Sequence, residues 1–260
     1  MKIDLVVLSY KRPLSLLITL LSLSRLARNL TKNGIDLNVV IVDQGGSSGT
    51  KLVINFFKLR LNAKTVLLDQ NVGIGKGWTV GLNALSEQSP HLMLVEDDWW
   101  FINKNPKPFV DCIELLKNQS DVKFVRFRKC FDFQAGACDV RKNPQNVKPF
   151  PIDILTPVRI NDSLFYVGAS KNICFTFNPC IYDQDFLRKE ILKLLRDVEV
   201  SYVGKLKSAE HLPTIYWEKS PFYAAQAVPG SVRHIGYHSR RYRLFLPIIL
   251  FIELLFGSIT

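Results

Sequence analysis

Apolar residues gather in short runs along the first hundred positions, and each run stops at a cluster of polar residues or glycines. Ile3 to Leu8 is the first run, an Ile/Leu/Val segment of the length and composition of a strand buried on both faces. It ends in Ser9-Tyr10-Lys11-Arg12-Pro13. Pro13 suits the first turn of a helix, where its fixed φ is already helical and its missing N–H is not needed. Leucines at helical spacing carry that pattern to Asn29. A second strand, Leu37 to Val42, stops at Asp43-Gln44-Gly45-Gly46; a helix follows to Leu61, then a third strand from Thr65 to Leu68. Asn71 to Gly77 (NVGIGKG) is a glycine-rich turn that opens a helix to Leu85. Leu92 to Val95 is a fourth strand and runs directly into Glu96-Asp97-Asp98.

Strands alternating with helices predict parallel βαβ units, and so an α/β fold with a central, mostly parallel sheet flanked by helices. In such sheets ligands bind beyond the carboxyl ends of the strands. Ser9–Arg12, Asp43–Gly46 and Glu96–Asp98 all fall at those ends. Past Asp98 the pattern changes: Lys123 to Arg128 reads as a strand, residues 131–163 as an irregular stretch containing Pro and Asn. Asp185 to Asp197 reads as a helix with Leu187, Ile191, Leu194 and Leu195 on one packing stripe. This second half is expected to shape an acceptor site.

Of the three acids, alternation along an extended chain points Glu96 and Asp98 one way and Asp97 the other. Like charges brought so close repel, and a divalent cation offsets that repulsion; hard oxygen ligands suit Mg²⁺ or Mn²⁺. Asp98 is therefore expected to bind metal, with Glu96 at a ribose or a metal-bound water; a solvated acidic turn is the plainer alternative. Asp43 can accept from a nucleobase or ribose, or simply form a turn. Gly73, Gly75 and Gly77 would let backbone N–H groups approach a pyrophosphate, with Lys76 as a nearby cation. The spacing is neither that of a dinucleotide fingerprint nor that of a P-loop. His234, between Arg233 and Gly236, can serve as a metal ligand or as an ordinary hydrogen-bonded histidine. Glu210 and Glu218 flank Trp217 and are the candidates for a general base.

The formal charge of +11 suits a protein that meets anions without choosing among them. At 47% hydrophobic and 22% charged, disorder is excluded. Five cysteines, Cys112, Cys130, Cys138, Cys174 and Cys180, are odd in number and irregularly spaced; they match neither a disulfide framework nor a zinc motif. No signal peptide is read at the N-terminus. Near the other end, Leu244 to Phe256 (LFLPIILFIELLF) is almost wholly apolar and follows three arginines between Arg240 and Arg243. As a helix it would rise about 20 Å, short of the roughly 30 Å hydrocarbon core. Residues 240–257 are thus expected to touch a membrane surface peripherally, or else to pack on the protein or a second subunit.

The ordered set of Ser-Tyr-Lys-Arg-Pro, Val-Asp-Gln-Gly-Gly, Asn-Val-Gly-Ile-Gly-Lys-Gly and Leu-Val-Glu-Asp-Asp-Trp resembles the donor half of family 2 glycosyltransferases with the GT-A (Rossmann-like) fold. Phe175-Thr176-Phe177-Asn178-Pro179 and Val232-Arg233-His234-Ile235-Gly236 resemble the acceptor half and closing histidine of the same group. The resemblance implies one GT-A domain over residues 1–238, with a donor half in 1–100 and an acceptor half in 101–238, followed by a basic and apolar segment, 239–260. It implies a nucleotide-diphosphate sugar held by Ser9, Tyr10, Arg12, Asp43, Gly73, Lys76, Glu96 and Asp97, and Mn²⁺ or Mg²⁺ on Asp98 and His234. Glu210 would be the base in an inverting single displacement onto a glycan or lipid-linked acceptor. Three positions depart from the family pattern: Glu96 opens the Asp-x-Asp motif, Gln44 follows Asp43, and His211 follows Glu210. The expected setting is cytoplasmic, peripheral on the inner face of a membrane, without nucleic acid as a partner. The alternatives are a sugar nucleotidyltransferase, which would need a glycine-rich loop straight after the first strand, and a non-catalytic module binding polyanions or membranes.

Overall fold

The computed structural model describes residues 1–85, 89–128, 154–177, 179–196 and 211–235. The first part follows the alternation in the sequence: β1 (Lys2–Ser9), α1 (Pro13–Lys32), β2 (Asp36–Gln44), α2 (Ser48–Arg60), β3 (Lys64–Leu68), α3 (Ile74–Asn83) and β4 (His91–Glu96). Then come β5 (Trp99–Phe101), α4 (Lys107–Asn118), β6 (Val122–Arg126), β7 (Thr156–Ile160), β8 (Ser163–Ala169) and β9 (Cys180–Asp183). Helix α5 (Gln184–Phe186), a π-helical turn (Leu187–Ile191) and α6 (Leu192–Arg196) form one run; α7 (His211–Glu218), β10 (Tyr223–Val228) and β11 (Val232–His234) complete the described chain.

Among the described residues, nine strands make one sheet in the order β3-β2-β1-β4-β9-β6-β10-β8-β7. Strands β3, β2, β1 and β4 are mutually parallel, as are β6 and β10. Strand β9 runs antiparallel to both β4 and β6, and β8 runs antiparallel to β10 and β7. Only β8 and β9 therefore oppose the common direction, and the sheet is mostly parallel as the alternation predicts. The strands of the second half extend the same sheet. Strands β5 and β11 pair separately as a short antiparallel ribbon.

The central position of β1 explains its composition. Residues Ile3 to Ser9 are all buried, because helices cover both faces of the strand. One face packs α1, α2 and α4 through Leu16, Leu23, Phe57 and Phe109; the other packs α3, the α5–α6 run and α7 through Trp78, Leu187 and Trp217. Leu187, Ile191 and Leu195 are buried as the packing stripe requires.

Two regions depart from the sequence expectation. The irregular stretch assigned to 131–163 gives way at its end to a hairpin, β7–β8, turning at Asn161 in the left-handed conformation (φ 48°). Pro157, which argues against a strand, is tolerated because β7 is the sheet edge and needs no donor on its outer side. The second difference concerns the glycine run. Only Gly73 has positive φ (84°), at the N-cap of α3. Gly77 and Gly81 instead bring α3 close to β1: an added Cβ would lie 2.6 Å from Leu8 Cδ1 and 2.3 Å from Val6 Cγ1, respectively. Gly81→Ala should therefore lower stability by about 1–3 kcal/mol through overpacking against a fully buried strand. A thermal melt unchanged from the parent would refute that reading of α3.

Candidate active site

The carboxyl ends of β1, β2 and β4 lie side by side, with Ser9 in register with Asp43 and Leu8 in register with Glu96. Beyond β1 the chain turns through Lys11, which takes a left-handed conformation (φ 53°). Its neighbours on both sides then reach the acids after β4. The Tyr10 N–H donates to Asp97 Oδ2 at 2.9 Å, and the Ser9 hydroxyl donates to the same oxygen at 3.4 Å. The Arg12 guanidinium lies 2.5 Å from Asp98 Oδ2 and 3.5 Å from Asp97 Oδ1. His234 Nε2 approaches the same Asp98 Oδ2 at 3.2 Å.

This arrangement corrects the alternation expected for the acidic triplet. Strand β4 ends at Glu96, and Asp97 and Asp98 occupy a turn, so both carboxylates face Arg12. Glu96 stays in the strand, half-buried. Ser9, Arg12, Asp97, Asp98 and His234 are thus brought into one cluster, although they span the whole described chain.

Burial sets the electrostatics. Desolvation raises the Asp97 carboxyl to about 7, and the neighbouring Asp98 charge adds to it, against the Tyr10 hydrogen bond, Arg12 and Ser9. Burial also pushes Asp98 upward, but the His234 hydrogen bond and charge together with Arg12 outweigh it, and its pKa lies below the ordinary value. Asp98 Oδ1 is buried without a hydrogen-bond partner among the described residues. Asp43, fully buried at the end of β2, is raised chiefly by desolvation; Gly46 N–H donates to its Oδ2 at 3.1 Å, while Oδ1 is without a partner among the described residues.

The glycine turn joins the site through a residue that sequence reasoning flagged only as a departure. Gln44 Oε1 accepts from Val72 N–H at 3.2 Å, tying the Gly73 end of α3 to the end of β2. Lys76 is exposed on the first turn of that helix. His234 is held by the β5–β11 ribbon, in register with Trp99, with ring centres 4.7 Å apart. Helix α1 anchors that ribbon: Trp99 N–H donates to Thr19 Oγ1 at 3.1 Å and Phe101 N–H donates to Ser22 Oγ at 3.2 Å. Two buried hydroxyls on an otherwise leucine-rich helix face were the available signal. Trp217 is no open aromatic wall. It is buried in the core and donates to the Ile173 carbonyl at 2.6 Å, while Glu218 is exposed. Glu210 lies outside the described residues, as do Asn178, residues 239–260 and the apolar segment 244–256. Among the described residues, no helix is long and apolar enough to cross a membrane, and no three His, Cys, Asp or Glu side chains form a metal-holding group.

Comparison with solved structures places this architecture. Residues 1–349 of S. aureus TarS superpose with a TM-score of 0.54 at 18% identity, over 86% of this chain and 60% of that one. The complex of the same fragment with UDP-GlcNAc superposes at 0.50 and 20% identity, over 87% and 58% of the two chains. The chain has a GT-A fold. It spans about 60% of the length of that TarS fragment. The GT-A framework is also matched, over 96% of both chains, by the 4-diphosphocytidyl-2C-methyl-D-erythritol synthase of Anaerococcus prevotii, with a TM-score of 0.53 and 13% identity. A looser overlap, with a TM-score of 0.47 and 11% identity over 72% and 45% of the chains, is found with the mannosyltransferase PcManGT of Pyrobaculum calidifontis in complex with GDP-Man and Mn²⁺. No protein-family model and no curated protein sequence matches the chain.

The raised Asp97 pKa has a consequence for stability. The folded chain keeps a proton on Asp97 up to about pH 7, whereas an unfolded aspartate loses it near pH 4. Between those values the folded state binds more protons, so this group makes stability fall as pH rises. Asp97→Asn retains an acceptor for Tyr10 and removes that loss. In buffers containing EDTA, the melting temperature of the variant relative to the parent should rise from pH 4 to pH 8. A difference that is flat with pH would show that Asp97 is not held protonated.

Proposed function

We propose that this chain is a glycosyltransferase that moves a sugar from a nucleotide-diphosphate sugar to an acceptor hydroxyl. The observation that carries the reading is the convergence of Arg12, Asp97, Asp98 and His234 at the carboxyl edge of the parallel strands, beside buried Asp43, in a GT-A fold. In this reading Asp43 receives the base or ribose of the donor, since its Oδ1 is an acceptor without a partner among the described residues. The Gly73 turn, held by Gln44, borders the nucleotide with Lys76 near it, and Ser9, Tyr10 and Glu96 line the same edge. Arg12 balances the acids and contributes positive charge where the diphosphate lies.

The donor set fits a divalent cation, Mn²⁺ or Mg²⁺. Asp98 Oδ2 and His234 Nε2 are 3.2 Å apart and Asp98 Oδ1 is unpartnered among the described residues. Two protein ligands suffice where substrate phosphates and water complete the coordination, as is usual for such ions. When bound there, the cation would supply charge against the departing nucleoside diphosphate. Asp98 and His234 would hold it, and Trp99, whose ring is tilted 57° to the imidazole at 4.7 Å, packs against the histidine.

Family 2 membership, inversion by a single displacement, and Glu210 as base to a glycan or lipid-linked acceptor belong to the same proposal. They rest on the order of motifs in the sequence. The continuation of both halves in one sheet supports a single domain over 1–238. A second reading, nucleotidyl transfer, is favoured by the full-length match to the Anaerococcus prevotii synthase. Against it, the loop after β1 is Ser-Tyr-Lys-Arg-Pro rather than a glycine-rich phosphate cradle.

Calorimetric titration of UDP, GDP, dTDP and their sugar conjugates, with and without Mn²⁺, separates these readings when CTP is included. One nucleoside diphosphate is expected to bind in a Mn²⁺-dependent way. Asp98→Asn should weaken it at least tenfold, roughly the loss seen when mere supports of a metal ligand are removed, with the melting transition retained. Binding confined to CTP would favour nucleotidyl transfer, and no binding to any of them by folded protein would end the donor-site reading.

A further inference from the structure

Helix α2 buries only one side. Thr50, Ile54 and Phe57 are buried, the last two in the core beneath the helix. Away from the core, Leu52 is 73% exposed, Phe56 62% and Leu59 86%. Their spacing of four and three residues lines them along a single helical face. The patch continues onto β3, whose Leu67 is 54% exposed. Leu67 pairs with Asp43 and so shares the sheet face of Ile41, which packs with Ile54 and Phe57 of α2. Single exposed leucines are ordinary, but a row of large apolar side chains at this exposure is not.

The charge around the row identifies the partner. Lys51, Lys58 and Arg60 are exposed on the same helix and form no ion pair among the described residues. From Gln44 to Leu68 the chain contains no Asp or Glu. We propose that this face docks on an anionic lipid bilayer. Leu52, Phe56 and Leu59 enter the boundary between headgroups and acyl chains, and Lys51, Lys58 and Arg60 meet the lipid phosphates. A second copy of the chain fits worse, because a two-fold interface sets the same patch on both sides and would bring six cations together with no acid from the segment between Gln44 and Leu68 to offset them. The inference rests on α2 and β3 alone and is independent of the transferase reading.

The test is co-sedimentation of the full chain with vesicles of phosphatidylcholine alone or mixed with phosphatidylglycerol. Binding is expected only to the mixed vesicles and should weaken as salt screens the attraction. The triple variant Leu52→Ser, Phe56→Ser, Leu59→Ser should lower partitioning by about tenfold or more. A separate variant, Phe56→Trp, keeps the question open to measurement if the triple variant misfolds: its added tryptophan emission should shift to the blue on vesicle addition. Failure of the parent to bind, equal binding by a folded triple variant, or no shift from a membrane-bound Phe56→Trp would each overturn the proposal. So would a concentration-dependent dimer abolished by the triple variant, which would assign the face to a second copy.

Discussion

Asp97 and Asp98 sit nearly out of water, next to each other, and their mutual repulsion is the constraint that the surrounding structure answers. The two carboxylates are met in different ways. Asp97 is retained chiefly by hydrogen bonds from the loop after β1 and is the group that burial drives toward its neutral form. Asp98 keeps its charge because Arg12 and His234 both reach its Oδ2. Removing either partner would leave a buried carboxylate short of a contact, a change that costs more than the interaction contributes while intact.

The scaffold can be followed outward from that pair. Arg12 is in reach because β1 lies between β2 and β4 and because Lys11 accepts a left-handed turn. His234 is in reach because the β5–β11 ribbon brings the far end of the described chain back over the strand ends, and α1 pins that ribbon through Thr19 and Ser22. The close seating of α3 on β1, which Gly77 and Gly81 permit, brings the Gly73 turn up to Gln44 at the end of β2. Residues distant in sequence therefore meet at one end of the parallel strands.

The first half was legible because its candidate chemistry coincides with its punctuation. Buried parallel strands read as apolar runs, and what stops each run lies at the carboxyl edge of the sheet. The second half was less so. Strand β7 carries a proline that only an edge position tolerates, and β5 is three residues long and is recognisable only through its pairing with β11. The glycine run carries a second role that the sequence does not reveal, since Gly77 lets α3 seat closely on β1, and a sequence without its neighbours cannot show that contact.

The sequence by itself determined the α/β alternation, and it named Asp43, Asp97, Asp98, Arg12 and His234, which the structure brings to the carboxyl edge of the parallel strands. Periodicity and residue chemistry are local properties, and these features need nothing more. Tertiary structure decided what each group does. It turned Asp97 and Asp98 toward a shared guanidinium, placed Trp217 in the core, gave Gln44 a backbone amide to hold, and left Leu52, Phe56 and Leu59 uncovered on α2. Burial and pairing arise between segments that are remote along the chain, so no local pattern encodes them.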